Sequence, residues 1–263
     1  MSVTTSSDAL SLRFASLARE GRRALVTYMT AGHPDPAQSV ALMRALEAGG
    51  ADIIEVGVPF SDPMADGPVI QRSSQVALEH GTGLTQVLDL VREAGLSVPV
   101  VLFSYLNPIM AAGQDVLERA AQAGVHGLLL TDLPVGADPV REAWVGAGPL
   151  AFVRLVAPTT PADRMREIAH HGRGFVYLIS RLGVTGMQHD VASDLPETIA
   201  RLRGATDLPI CVGFGVSTGA QAQAIGRLAD GIVVGSAIVK AAEAGVDAAH
   251  ALTVELRRAL DSI

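Results

Sequence analysis

The chain has 263 residues, 49% of them hydrophobic and 18% charged, and its formal net charge at pH 7 is −7. This composition supports a large buried core, argues against disorder and makes nucleic acid an unsuitable partner. The single cysteine, Cys211, excludes an internal disulfide framework, and its apolar surroundings indicate a small core residue. There is no secretory signal pattern and no apolar run of membrane-spanning length, so we expect a cytoplasmic protein without a membrane contact.

The first predicted element is an amphipathic helix over residues 8–19, because Leu10, Phe14 and Leu17 recur at helical spacing. Beyond it, apolar runs rich in β-branched residues alternate with helical patterns. The runs predict eight strands, at 24–29, 52–56, 99–105, 127–131, 150–156, 175–179, 209–212 and 231–234.

Several of the intervening helices carry recognisable start signals. Asp35-Pro36 followed by Gln38 combines an N-cap, a proline at the first helical position and a capping partner. Thr160-Pro161, and Thr218 with Gln221, predict similar helix starts.

Eight strand–helix units in a chain of this length predict an α/β fold, a single (β/α)8 TIM barrel domain over residues 1–263. The N-terminal helix is extra to the eight units, and we expect it to cover the bottom of the barrel. A doubly wound open sheet is the alternative fold. In a barrel the active site lies at the C-terminal ends of the strands, so polar residues there are candidates for function.

Two acids near the end of the second strand are the first such candidates. Glu55 interrupts an otherwise apolar strand, and Asp66 lies in the following loop, where it could face back over the strand end. Together they could form a pair for proton transfer. The alternative is that Glu55 is a hydrogen-bonded core acid and Asp66 is a turn residue.

All three tyrosines of the chain, Tyr28, Tyr105 and Tyr177, also fall near predicted strand ends. Tyrosine in a barrel can simply be packing. Three at the same face are better explained by a pocket that holds a flat, partly polar ligand.

Glycine-rich turns follow the last two strands, at residues 212–217 and 233–237. They include Gly215, Gly235 and Ser236. Backbone N–H groups in such turns, with the start of a short helix, predict a phosphate site, and the alternative is that these glycines only make tight turns.

The segment 180–186 follows the sixth strand and contains Arg181 and Thr185. It is interpreted as a lid over the site, with an ordinary surface loop as the alternative. None of the seven histidines has metal-ligand spacing, and no dinucleotide or Walker motif is present, so we expect no metal and no organic cofactor in this chain.

Residues 55–63 and 65–68 strongly resemble the signature of the tryptophan synthase alpha chain family. Residues 180–186 and 235–240 are similar to later motifs of that family, in the right order along nearly the whole chain. His33 departs from the family, which often has an acid at this position.

The resemblance implies a lyase of tryptophan biosynthesis that splits indole-3-glycerol phosphate into indole and glyceraldehyde 3-phosphate. It also implies a pyridoxal-phosphate-dependent beta chain as partner in an αββα tetramer, contacted through Asn107-Pro108 and the Asp62 loop, with indole passing through a tunnel to the beta site. By the same resemblance, Glu55 and Asp66 are the catalytic acids, and Arg181 and Thr185 belong to the lid. The substrate-binding positions that it implies are Gly186, Gly215, Gly235 and Ser236 for the phosphate, Tyr177 beside the reacting side chain, and Tyr28, Phe103, Leu129 and Phe214 as indole-pocket walls.

The chemistry of this cleavage supports the two acid roles. Indole is a poor leaving carbanion, so its C3 atom must be protonated before the carbon–carbon bond breaks, and the neighbouring hydroxyl must then lose its proton. Glu55 suits both tasks, because burial should raise its pKa and keep it protonated near neutrality. Asp66 should stay charged, accept the indole N–H and stabilise positive charge on the ring.

Two other functions remain as alternatives. A Schiff-base aldolase would need an active-site lysine, and the chain has only Lys240, which we expect on a helix face turned away from the pocket. A non-catalytic subunit that binds a phosphorylated ligand and regulates a partner enzyme would not need both Glu55 and Asp66.

Overall fold

The structure, a computed structural model, describes residues 8–179, 194–213 and 215–263. Eight parallel strands pair in chain order and close into a barrel, with the eighth strand beside the first. The strands are β1 Ala24–Thr30, β2 Ile53–Gly57, β3 Val100–Ser104, β4 Gly127–Leu130, β5 Ala151–Val156, β6 Val176–Ile179, β7 Ile210–Gly213 and β8 Gly231–Val234. The predicted barrel is therefore confirmed over the open sheet, and each predicted strand is present within one residue at either end.

Helices follow the strands and surround the barrel. They are α1 Ala9–Arg19, α2 Pro36–Ala48, α3 Pro68–Glu79, α4 Leu84–Ala94, α5 Leu106–Ala111, α6 Val116–Gln122, α7 Pro139–Ala147, α8 Ala162–His170, α9 Leu195–Arg203, α10 Gly219–Gly226, α11 Ser236–Glu243 and α12 Val246–Asp261. Within the described ranges, no helix is long and apolar enough to cross a membrane.

Two of the three predicted helix starts are confirmed, although the Gln38 side chain makes no capping bond to Asp35 among the described contacts. Asp35 caps α2 by accepting the Ala37 N–H, with Pro36 as the first helical residue, and Thr218 caps α10 by accepting the Gln221 N–H. The prediction for Thr160 was wrong. Its hydroxyl accepts the Ala157 N–H of the preceding turn, so α8 begins at Ala162 without a side-chain cap.

Strand residues alternate between two cores because successive side chains point to opposite faces. One set, which includes Val26, Ile53 and Cys211, fills the barrel interior; the other packs against the helices. The α1 residues Leu10, Phe14 and Leu17 belong to the interior core, and Leu10 lies against Gly127 at the start of β4. Helix α1 therefore covers the N-terminal end of the barrel, as its apolar stripe predicted.

A buried ion cluster ties the same end of the barrel together. Asp52, 1% exposed, accepts hydrogen bonds from the Leu25 N–H at 2.8 Å, from the Arg257 guanidinium at 2.9 Å and from Arg13. Because α1, β1 and α12 all meet at this carboxylate, the N-terminal end is closed. The opposite end, where the strands finish, is the end at which barrels of this kind bind their ligands.

Candidate active site

A cavity of about 660 Å³ opens at the C-terminal ends of the strands. Side chains from β1, β2, β3, β5 and β6 form its floor, and the turns after β2, β7 and β8 form its rim. Both predicted catalytic acids, Glu55 and Asp66, line it. The barrel thus brings the strand acid and the loop acid to one space.

Glu55 lies in the middle of β2, in register with Tyr28 of β1 and Val101 of β3. Its side chain is 1% exposed, and within the described part of the chain its Oε1 atom has no hydrogen-bond partner. Burial raises its pKa to about 8, since the charged form loses its hydration. Glu55 is therefore protonated at neutral pH, and it lies in the wall of the cavity.

Asp66 is held in the loop between β2 and α3 by bonds to the backbone on both sides. The Ala65 N–H donates to the Tyr105 hydroxyl at 2.9 Å, and the Gln71 side-chain amide donates to the Asp66 carbonyl at 2.9 Å. Burial raises the pKa of Asp66 to about 6, and a hydrogen bond from Tyr105 opposes this rise. Asp66 is therefore largely ionised near pH 7 while Glu55 is protonated.

Two of the three tyrosines, Tyr28 and Tyr177, line the cavity, and Phe103 lies beside Tyr28 with ring centroids 5.2 Å apart. The third, Tyr105, is not among the lining residues. It stacks on Phe60 at 5.0 Å and holds the Asp66 loop through its hydroxyl. The expectation that all three tyrosines form the pocket is corrected accordingly.

Leu129 also departs from its predicted place. It is fully buried in the barrel interior and does not line the cavity. It belongs to the interior core, and Phe103, Leu155 and Ile179, which do line the cavity, pack against that core. Leu155 and Ile179 take the wall position instead.

The predicted phosphate residues Gly215, Gly235 and Ser236 line one side of the cavity. Gly215 has φ +86°, a left-handed conformation that favours glycine, and Gly235 caps α11, whose first residue is Ser236. The positive end of the α11 dipole thus faces the cavity and favours an anion there. Arg181, Thr185, Gly186 and Phe214 lie outside the described residues.

Sequence reasoning missed several lining residues. Leu155 and Ile179 follow the inward alternation of β5 and β6 and could have been found from that pattern. Others come from loops and helix ends that carry no such pattern: Val69, Ile70, Thr131 and Ser217.

Lys240 lines the outer part of the cavity, contrary to the expectation that its helix turns it away. It stands four residues after Ser236 on α11, and residues four apart share one face of a helix. The N-terminus of α11 and Lys240 therefore point to the same space.

Residues 14–261 match the sequence profile of the tryptophan synthase alpha chain family. The tryptophan synthase alpha chain of Chromobacterium violaceum is 50% identical over 235 residues, which cover 88% of this chain and 89% of the relative. A tryptophan synthase of Saccharomyces cerevisiae is 45% identical over 89% of this chain, and this chain spans 34% of its length. A solved structure of Mycobacterium tuberculosis tryptophan synthase superposes with a TM-score of 0.89 at 38% identity, covering 97% of this chain and 99% of that one.

Proposed function

This chain belongs to the tryptophan synthase alpha chain family, and from that premise we propose which of its residues carry the reaction. The protein is the indole-3-glycerol-phosphate lyase of tryptophan biosynthesis, which catalyses the alpha reaction. We propose Glu55 and Asp66 as its catalytic acids. The observation that carries this proposal is the buried Glu55 carboxyl, whose Oε1 atom has no hydrogen-bond partner among the described residues, in the same cavity as Asp66.

The first step uses the proton on Glu55. Protonated Glu55 donates to C3 of the indole ring, and the ring becomes a cation with its charge centred on the N–H. Asp66, ionised at neutral pH, accepts that N–H and stabilises the cation more than the neutral ground state.

The second step returns the proton to Glu55. The Glu55 carboxylate removes the proton from the hydroxyl next to the scissile bond, and the oxygen electrons form the aldehyde of glyceraldehyde 3-phosphate. The carbon–carbon bond electrons restore the aromatic indole ring. Glu55 is then protonated again, so one residue serves as acid and base in each turnover.

The remaining contacts divide between the two ends of the substrate. Gly215, Gly235 and Ser236, at the N-terminus of α11, are proposed to hold the phosphate. The cavity aromatics Tyr28, Phe103 and Tyr177 enclose the indole ring and its side chain. The roles of Gly186 and Phe214 in binding, and of Arg181 and Thr185 in a lid, remain proposals that rest on the family resemblance.

Neither alternative function is favoured by the family. A Schiff-base aldolase would need an active-site lysine, and Lys240 does line the cavity. Membership of the tryptophan synthase alpha chain family is therefore the argument against this function. A non-catalytic subunit would have no use for a buried, protonated acid in the cavity wall.

The family also implies a complex with the beta chain. We propose the αββα stoichiometry, with Asn107-Pro108 and the Asp62 loop at the contact and indole passing directly to the partner through a tunnel. Pyridoxal phosphate would then be the partner's cofactor. A cytoplasmic location, and a single domain over residues 1–263, are proposed on the same grounds.

Indole release from indole-3-glycerol phosphate by the purified chain, alone and with a tryptophan synthase beta chain, tests this function. We expect release that rises strongly when the beta chain is added. Absence of release under both conditions would overturn the proposal.

A further inference from the structure

Three buried hydroxyl groups form a chain behind one wall of the cavity. Tyr28 and Thr30 lie on β1, and Ser73 lies on α3; they are 6%, 1% and 0% exposed. The Tyr28 and Thr30 hydroxyl oxygens are 3.2 Å apart, and those of Thr30 and Ser73 are 2.6 Å apart. Ser73 is also bonded to the Ile70 carbonyl, one turn earlier on α3, at 2.8 Å.

The Ile70 carbonyl, at the end of this chain of hydroxyl groups, determines which oxygen is the donor in each of the three hydrogen bonds. The Ile70 carbonyl can only accept, so the one proton of the Ser73 hydroxyl is committed to it. Ser73 can then only accept from Thr30, and Thr30 in turn can only accept from Tyr28. The Tyr28 proton is therefore directed away from the cavity, toward Thr30.

Tyr28 lines the cavity, and its hydroxyl oxygen can still accept a hydrogen bond after it has donated to Thr30. The oxygen reaches over Gly57, at the end of β2, into space that any larger residue would fill. Burial raises the pKa of Tyr28 well above its ordinary value, and the charges of Asp66 and, to a smaller extent, Glu55 raise it further. This part of the cavity therefore presents two acceptors, the Asp66 carboxylate and the Tyr28 oxygen, and the hydroxyl chain prevents Tyr28 from donating.

We propose that Tyr28 determines substrate specificity by offering the ring N–H a second hydrogen-bond acceptor, which shares that proton with Asp66, and that Thr30 and Ser73 position the Tyr28 proton. The site then selects a bicyclic aromatic ring that carries an N–H over a ring of the same shape with oxygen in that place. This inference deepens the proposed function and rests on it. A ring oxygen would place its lone pairs against two acceptors, and neither could be satisfied.

The test compares two non-cleavable ligands by calorimetric titration of the full-length chain. Both carry a phosphorylated three-carbon alkyl chain, at C3 of indole in one and at C3 of benzofuran in the other. The measured quantity is the ratio of their dissociation constants, which cancels the shared phosphate contribution. In Tyr28→Phe we expect the preference for indole to fall about 3- to 10-fold, as for one lost hydrogen bond.

Ser73→Ala separates positioning from packing, because Ser73 does not line the cavity. Without Ser73, Thr30 can donate to Tyr28 and turn the Tyr28 proton into the cavity, so the preference should fall as in Tyr28→Phe. The double variant should lose no more than Tyr28→Phe alone, because the serine acts only through the tyrosine. Ser74→Ala is the matched control, since Ser74 is a buried neighbour on α3 that does not belong to the chain of hydroxyl groups. This variant should retain the full preference for the indole ligand.

A full preference for indole in Tyr28→Phe would overturn the proposed acceptor, and a full preference in Ser73→Ala would overturn the proton order. Either result can occur while the wild-type chain cleaves indole-3-glycerol phosphate, in which case the proposed function stands. Failure of the wild-type chain to release indole would instead count against the function itself.

Discussion

The hydroxyl of Tyr177 on β6 occupies the space that a side chain on Gly213 of β7 would fill. The same relation holds three strands further around the barrel, where the hydroxyl of Tyr28 on β1 lies over Gly57 on β2. In each case the glycine stands beside the residue two positions beyond the tyrosine. In each of two cavity walls, a tyrosine ring thus lies over a glycine of the next strand. The missing glycine side chain leaves the space that the tyrosine hydroxyl occupies.

Gly213→Ala tests this arrangement, because its methyl group would overlap the Tyr177 ring and hydroxyl. We expect kcat/KM for indole release to fall about tenfold or more, and stability to fall by about 1–3 kcal/mol, as for other overpacked cores. Gly146→Ala is the control, because nothing lies within 4 Å of its added carbon. Wild-type kinetics in Gly213→Ala would show that Tyr177 does not need its present position.

Glu55→Gln should bind substrate and lose nearly all turnover. The amide keeps the size of the side chain but cannot give a proton to C3 or take one from the hydroxyl. Steady-state indole release, combined with titration by a non-cleavable indole alkyl phosphate, separates binding from chemistry. Near-normal turnover in this variant would remove Glu55 from the proposed catalytic pair.

The same substitution should change stability in a pH-dependent way. The folded-state pKa of Glu55, about 8, is above its ordinary value of 4.5, so the folded chain binds this proton more tightly than the unfolded chain. The contribution of Glu55 to stability is therefore complete below pH 4.5 and is lost as pH rises through 8. Glu55→Gln should have the same Tm as wild type near pH 4.5 and a higher Tm at pH 9. At pH 9 its free energy of unfolding should exceed that of wild type by a few kcal/mol at most. A Tm difference that does not change with pH would contradict the raised pKa.

The pH dependence of kcat/KM should be bell-shaped, since the reaction needs Glu55 protonated and Asp66 ionised. Activity should rise with pH through about 6, as Asp66 loses its proton, and fall through about 8, as Glu55 does. The alkaline limb is the more diagnostic, because the substrate phosphate also titrates near 6. Activity that continues to rise above pH 9 would exclude Glu55 as the acid.

Tyr105→Phe should move the acidic limb to higher pH. The variant loses the hydroxyl that accepts the Ala65 N–H and the hydrogen bond that holds the pKa of Asp66 down. KM should also rise, because the Asp66 loop loses an anchor. The measurement is the pH profile of the variant beside that of wild type, with the alkaline limb, set by Glu55, as the internal control. An acidic limb at the wild-type position would show that Tyr105 does not act on Asp66.

Much of the architecture could be predicted from local pattern. The eight apolar runs predicted the strands because strands buried on both faces need apolar side chains throughout. The stripe of Leu10, Phe14 and Leu17 predicted a helix with one face to bury. Glu55 was conspicuous for the same reason in reverse, since a charge inside such a run is costly unless the site uses it.

Other features depended on three-dimensional position, which residue type and spacing do not contain. Leu129 and Phe103 are register partners that both face inward, yet only Phe103 lines the cavity, while Leu129 lies in the core against which Phe103 packs. Lys240, by contrast, could have been placed from spacing, since it stands four residues after the predicted phosphate residue Ser236 on the same helix.

The hydroxyl chain is the clearest case of a feature that only the tertiary structure decided. Its members are two strand residues, Tyr28 and Thr30, and a helix residue 43 positions further along the chain. The sequence by itself determined where the barrel and its acids lie, because burial and periodicity are local properties. The direction of a proton depends on which oxygen atoms meet, and only folding brings those atoms within hydrogen-bond distance.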